Sequence, residues 1–537
     1  MRTGKDILKS CYVTLPAMVL GMCIAGPGVA QAQMTTTGID CSQIASLHLL
    51  QQENMRAGLA LMECGVIPRP DTGVEGDEEA ADAPLAPNVL VSNRSCTSGS
   101  NCTRSESMVY KSTRPGDNTI VVNYNDHNGN NYSGTSYSTD GGQTFTQIIP
   151  APFASGHGTN YGDPIVVFNS RLNEWFAGDL VTGCGGEGVG LWTSSDGISW
   201  STGACAHNGS SDDRESLWVD NNPFSRTYGR MYISFNNFAI GSGALQVTYS
   251  DDGNTWTVVT VSNTSTFMRD VQVTGSPVGP PANHAGYIST VFVASMNEEG
   301  GGLGTRQNVM FRSTDGGQTW TSSTMGPVFN AVGDGVCASN SYFADVYPIW
   351  RHMGWGEPGV GPDGVVHYAY AGAGAAGSND HGDIYYVRSA DNGQTWSTPI
   401  KLNDDPDGQY KTQWMPSLSV NYNQAGFSPQ GKVTVSWYDR RQATTACNVA
   451  TDPGCSYMRY GVQSADNGQT WSSNLQISDT LIPQPTQNDG GVQPCYAGDY
   501  DYATAQGQNA FVTWTDGRTN VGGVQIQSVE FENVPEP

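Results

Sequence analysis

RSTDGGQTWT, residues 312–321, reads as a strand end, a tight turn and the aromatic that opens the next strand. Asp315 is placed to accept hydrogen bonds from the turn's own amides, and Gly316 and Gly317 supply backbone angles that other residues avoid. Thr319 and Trp320 suit a strand that packs a large ring. The pattern recurs as YSTDGGQTFT (137–146), TSSDGISWS (193–201), YSDDGNTWT (249–257), RSADNGQTWS (388–397) and QSADNGQTWS (463–472). The second and third copies are one residue short. The closing aromatics Phe145, Trp200, Trp256, Trp320, Trp396 and Trp471 are 55, 56, 64, 76 and 75 residues apart. Such intervals match a supersecondary unit of four strands with loops of varying length.

Six copies of S-x-D-x-G-x-T-W/F resemble the Asp-box, or bacterial neuraminidase repeat, family. The resemblance implies an all-β β-propeller of four-stranded blades over residues 88–532. Apolar strands, each opened by an acidic or aromatic residue, precede the turns: ESMVYKS (106–112), GDPIVVF (162–168), ESLWVD (215–220), RDVQVTG (269–275), ADVYPIW (344–350), MPSLSV (415–420) and GDYDYATA (498–505). There are seven, so seven blades are favoured over six. The seventh lacks an Asp-box, and PNVLVSN (87–93) is placed to close it and hide a sheet edge. The turn acids Asp140, Asp196, Asp251, Asp315, Asp391 and Asp466 are expected to be structural, because they belong to every repeat rather than to a few special loops.

Upstream, Arg2, Lys5 and Lys9 precede an apolar run and the small-residue site Ala30-Gln31-Ala32, which reads as a secretory signal peptide over residues 1–32. Residues 33–67 contain a helix-period stretch in which Ile44, Leu47, Leu50, Met55, Leu59 and Leu61 form an apolar stripe, with Gly65 as a stop. This reads as a short helical cap. Residues 68–87 are acidic and proline-rich, a linker with little to bury. A short tail, 533–537, ends the chain. Ten cysteines remain beyond the leader, and an even number in an exported chain suggests disulfides. Proximity suggests Cys41–Cys64, Cys96–Cys102, Cys184–Cys205 and Cys447–Cys455, leaving Cys337 and Cys495 by elimination. Zinc is the rival reading, but there is no C-x-x-C pair.

The net charge of −25 and pI near 4.5 would repel phosphate backbones and anionic lipid, which argues against nucleic acid and membrane partners. A secreted monomer that meets glycans or glycoconjugates is expected. No cofactor is required, although surplus carboxylates would suit Ca²⁺.

In a propeller the loops entering the innermost strands share one face. That face is expected to carry His157, Tyr161, Asp163, Arg214, Glu215, Arg269, Asp270, Tyr347, Trp414, Asp499, Tyr500 and Tyr502, with Asp126, Asp439, Arg440, Asp516 and Arg518 on neighbouring loops. VSWYDRR (435–441) and VTWTDGR (512–518) share W-x-D-x-R; the Arg pairs with the Asp, or offers a fork to a carboxylate ligand. The family's sialidase members imply three arginines on a sugar carboxylate, a Tyr nucleophile with a Glu base, and an Asp acid/base. The residues suited to these roles are Arg269, Arg440 and Arg518 for the carboxylate and Tyr347 or Tyr500 as nucleophile. Glu215 would be the base, and Asp126 or Asp163 the acid/base. Asp439, Asp516 and Trp414 would support substrate binding. The sialidase motif F/Y-R-x-P is not met; the nearest string is STRPG (112–116), where Arg114 directly precedes Pro115. An exported glycoside hydrolase of the sialidase-like group is one reading. A non-catalytic glycan- or protein-binding propeller, stacking ligands on Trp350, Trp355, Trp414, Tyr438, Tyr496 and Tyr500, is the other.

Overall fold

The structure, a computed structural model, describes residues 34–69, 87–93, 103–127, 131–264, 267–276, 286–333, 335–337, 340–347, 350–374, 380–406, 411–421, 431–444, 454–486, 489–521 and 524–537. The expected leader, most of the acidic linker, and Cys96, Cys102 and Cys447 lie outside them. The described residues are all-β apart from the nine-residue helix Met55–Glu63 and three single turns, Cys41–Gln43, Leu49–Gln51 and Pro152–Ala154.

Seven sheets, each built on a run of four antiparallel strands and three of them carrying a short fifth strand, follow one another among the described residues. Their first strands are Arg104–Lys111, Ile165–Asn169, Asp212–Val219, Met268–Gly275, Glu357–Val360, Gln413–Asn421 and Thr504–Gln506. We number the sheets 1 to 7 in that order. Each first strand packs beside the next, and that of sheet 7 returns to that of sheet 1, so the sheets form a closed ring. Asp501–Tyr502 adds a short parallel pairing to the first strand of sheet 1. Sheet 7 joins the chain's two ends: Val89–Leu90 is its fourth strand, antiparallel to Val524–Pro535. The last strand therefore runs through the expected tail as far as Pro535, because its pairing with Asn509–Val521 continues to the Asn509–Pro535 register. A small three-stranded sheet, Gly335–Val336, Ala344–Tyr347 and Trp350–Arg351, sits between sheets 4 and 5. Ala344–Tyr347 and Trp350 of ADVYPIW (344–350) thus lie in this insert, and the first strand of sheet 5 is Glu357–Val360.

The repeated turn shows why its residues recur. Asp315 Oδ1 accepts from the amides of Gln318 and Thr319, both at 3.0 Å, and Oδ2 from the Thr319 hydroxyl at 2.6 Å. Gly317 has φ +91° and faces sheet 3, where an added Cβ would lie 3.0 Å from the Tyr232 ring. Asp140, Asp196, Asp391 and Asp466 hold their turns in the same way. In the shorter third copy the register slips by one. Asp252, not Asp251, accepts from the amides of Asn254 and Thr255 at 2.8 Å. Asp251 instead pairs with Arg230 at 2.6 Å on the surface.

Three disulfides are described: Cys41–Cys64, Cys184–Cys205 and Cys337–Cys495. They fit an exported protein. His157 lies beside the second pair, whose sulfurs are bonded to each other. No helix among the described residues is long and apolar enough to cross a membrane.

Candidate functional site at the arginine-bearing end of the ring

Four first strands carry a β-bulge at the same end, and the bulged residue has a left-handed backbone in each: Glu106 (φ 45°), Arg214 (58°), Asp270 (58°) and Met415 (50°). Asp163, just before the first strand of sheet 2, has φ 62°. Bulges re-aim side chains, and left-handed non-glycine residues concentrate where a site demands them. Here they gather charged groups at one end of the central channel.

Three guanidinium groups meet there, all fully buried. Arg214 lies 4.4 Å over Tyr500 and 5.0 Å over Trp355. Arg269 lies 5.3 Å from the Phe238 ring, and Arg351 4.2 Å from Phe343. These rings fix the arginines in place and favour their charge. Arg214 donates to Asp270 at 2.8 Å, Arg269 to Asp213 at 2.5 Å, and Arg351 to Asp499 at 3.0 Å.

All three also donate to one residue outside the ring, while Arg214 Nε, Arg269 Nε and Arg351 Nη1 have no hydrogen bond. Glu53 belongs to the N-terminal segment, between a turn at Leu49–Gln51 and helix α1, Met55–Glu63. Its carboxylate accepts from Arg214 Nη1 at 2.8 Å and from Arg269 Nη2, and its carbonyl accepts from Arg351 Nη2 at 2.6 Å. Asp213 accepts from the amides of Glu53 and Asn54, both at 3.0 Å, and from the Asn54 side chain at 2.7 Å. Arg56, one turn on, pairs with Glu187 at 2.8 Å. Burial pushes the Glu53 carboxyl up to about 8, against the opposing pull of Arg269 and Arg214. Burial likewise pushes Glu187 to about 8, with Arg56 pulling the other way.

Beside this cluster lie groups without partners. Both carboxyl oxygens of Glu215 and the Tyr500 hydroxyl are buried with no hydrogen bond. Native proteins seldom leave such groups unsatisfied without a reason. Tyr500 feels the charges of Asp163, Glu106 and Glu215, and burial raises its hydroxyl well above the ordinary range. Burial also raises Asp163 and Glu215, each reinforced by neighbouring acids. From the opposite end, a cavity of about 660 Å³ runs up the channel as far as Tyr502.

Of the residues expected from sequence, the structure thus brings together Asp163, Glu215, Tyr500 and Arg269. It places the others elsewhere. Asp126 pairs with Arg104 at 3.0 Å and accepts from Gln147. Tyr347 ends a strand of the small insert. Arg440 is buried and donates to the Val346 carbonyl at 2.8 Å. Arg518 binds Asp516 at 2.6 Å and also Asp479. The W-x-D-x-R segments form matching clamps: Trp437 and Arg441 hold Asp439, while Trp514 and Arg518 hold Asp516. Trp414 stacks on Tyr438 with centroids 5.6 Å apart and is buried beside Trp350. All six aromatics proposed for ligand stacking are buried.

Sequence reading missed Glu53, Asp213, Glu106 and Arg351 as members of the cluster. Arg351 sits in the small insert, outside the repeat. Glu53 interrupts the apolar stripe of 41–64 with a charge, and that charge was the available signal.

No family model matches the sequence, and no curated protein matches it. Among solved structures the chain is similar to the α-L-arabinofuranosidase Arb93A from Fusarium graminearum, at 12% identity over 85% of this chain and 98% of that one, with a TM-score of 0.36. It is similar to a leech intramolecular trans-sialidase at 13% identity, over 84% and 70% of the two chains, with a TM-score of 0.37. A third is an ulvan lyase of polysaccharide lyase family PL25, at 10% identity over 81% and 94%, with a TM-score of 0.43.

Proposed function

We propose that this chain is an exported Asp-box propeller of seven blades that hydrolyses glycosidic bonds at the arginine-bearing end of its channel, on glycans that carry a carboxylate. One observation carries the reading: the unpartnered Glu215 carboxyl and Tyr500 hydroxyl lie, fully buried, in the same charged cluster as Asp163, next to three converging arginines. Arginine forks suit a sugar carboxylate. Tyr500 would attack the anomeric carbon while Glu215 takes the phenol proton and Asp163 protonates the leaving oxygen. Water would then release the sugar, with Asp163 accepting its proton and the Glu215 proton returning to Tyr500. A phenol nucleophile keeps a carboxylate away from an anionic anomeric centre. The raised Asp163 suits an acid at neutral pH; Glu215 becomes a base once solvent or sugar relieves its burial.

The test is turnover of a fluorogenic panel containing α-sialosides, β-glucuronides and neutral glycosides, with and without Ca²⁺. Release from an acidic glycoside, lost in Tyr500→Phe and Arg269→Ala, is expected. Turnover of neutral glycosides alone would discard the carboxylate specificity, and no turnover on any member, by the chain whole or cut within residues 70–86, would discard hydrolysis.

A further inference from the structure

The three arginines are engaged by the protein itself, although Arg214 Nε, Arg269 Nε and Arg351 Nη1 are buried without a hydrogen bond. Arg214 and Arg269 each spend one nitrogen on an acid of the ring and another on the Glu53 carboxylate, while Arg351 donates through Nε and Nη2 to Asp499 and through Nη2 also to the Glu53 carbonyl. The Glu53 carboxylate thus sits against two forks from adjacent sheets, while Arg351 holds its main chain. Nothing in the segment's own folding requires this. Residues 34–69 have their own small core, in which Leu49, Ala57, Ala60, Leu61 and Ile67 are buried together. Their Cys41–Cys64 bridge is internal, and Asn54 caps α1 through the Ala57 amide at 2.8 Å. Gly65, with φ +71°, ends the helix. None of the described disulfides ties the segment to the ring. Covalent continuity runs only through residues 70–87, PDTGVEGDEEAADAPLAP.

We propose that residues 34–69 are an intramolecular occupant of the arginine-bearing site, with the Glu53 carboxylate standing where the carboxylate of a sugar acid binds, and that the site accepts ligand only after the segment leaves. The ligand class rests on the function proposed above; the occupancy rests on the contacts alone. Severing the linker would convert a tethered occupant into a dissociable one. A tethered group competes at a high effective concentration that dilution cannot lower, and cutting the tether removes that advantage.

The experiment uses the full chain with a specific protease site placed within residues 70–86. After cleavage, gel filtration should separate the segment from a folded ring. That ring should bind D-glucuronate or N-acetylneuraminate at least tenfold more tightly than the uncut chain, by calorimetry. A lock supplies the control. A Cβ added at Gly58 would lie 3.1 Å from the Gln493 Cβ, a few tenths of an ångström inside the span of a disulfide, so Gly58→Cys with Gln493→Cys can bridge α1 to the ring after a shift of about that size. The oxidised double variant, cut in the linker, should retain the segment and the weak binding of the uncut chain. Each single cysteine variant should behave like the released form. Equal binding or equal turnover by the locked and released forms would overturn the occupancy and leave the hydrolase reading intact. Loss of the ring's fold on release would overturn it too, by making the segment part of the fold. A released ring that binds the sugar acids but cleaves no glycoside would sink the hydrolase reading and leave the occupancy standing.

Discussion

Replacing Phe531 by alanine should loosen the whole ring, because this side chain lies at the seam between its first and last sheets. Phe531 is fully buried. It stands opposite Val89 of the closing strand, 5.0 Å from the Phe145 ring of sheet 1 and 6.3 Å from Phe511. The turn glycine Gly142 comes so close that an added Cβ would lie 2.5 Å from the ring. Truncating a buried phenylalanine costs about 3–5 kcal/mol, and neighbours fixed by strand pairing cannot collapse far into the gap. An unfolding entropy of about 2.1 cal/mol/K per residue over roughly 440 ring residues gives about 0.9 kcal/mol per kelvin, so Tm should fall by about 3–5 °C. Scanning calorimetry reads this directly. Hydrogen exchange should accelerate together in residues 87–92 and 524–535. A fall below about 1 °C with unchanged exchange would refute the seam as a bond on which the sheets depend.

Tyr500→Phe should abolish turnover of acidic glycosides while leaving Tm within about 1 °C, since the hydroxyl has no hydrogen bond to lose; parallel rate and melting measurements check both. Stability should peak in mildly acid solution. Asp179 and Glu187 are raised to about 8, so the folded state holds protons that the unfolded chain sheds above about pH 4, and Tm should decline as pH rises from about 4 to 8. Asp466, lowered to about 2, works in the opposite sense, and its contribution disappears below about pH 4. A Tm that climbs from pH 5 to pH 8 would contradict this balance. Replacing Cys337 and Cys495 by serine opens a loop spanning a sequence separation of 158 residues and should cost about 2–5 kcal/mol, read by denaturant unfolding. Asp252→Ala should lower Tm more than Asp251→Ala, because only Asp252 satisfies turn amides.

The repeat was legible because its chemistry is local. A serine, an aspartate and a glycine within a few residues complete one turn, and the closing aromatic packs nearby, so a single strand of text carries the whole device. The slip at Asp251 and Asp252 has the same origin: two adjacent acids in a copy one residue short leave the register open until the amides are seen. The closing strand at Val89–Leu90 was legible because a seventh apolar strand lacked its fourth partner. The site was only half legible. Asp163, Glu215, Arg269 and Tyr500 precede or open inner strands, where position in the repeat points to the channel. Arg440 and Arg518 looked equivalent by charge, yet each lies where a carbonyl or an acid already waits. Arg351 and Glu53 come from segments without a repeat, and their convergence depends on two stretches about 300 residues apart meeting in space. Trp414 was read as a surface ring, but side-chain alternation along a strand buried on both faces hides no position from the core.

The pairing of Val89–Leu90 with Val524–Pro535 has a consequence for how the molecule comes into being. Each of sheets 1 to 6 can form from neighbouring residues, but the seventh waits for the final residues of the chain. Contacts separated by some 440 residues carry a large loop-closure cost and are formed late. Until then Val89–Leu90 and Asn509–Val521 of the seventh sheet present open edges that invite pairing with other chains. A chain emerging from its N-terminus therefore stays vulnerable until its last strand arrives, and a product truncated before residue 524 would leave Val89–Leu90 and the outer edge of Asn509–Val521 without their partner strand.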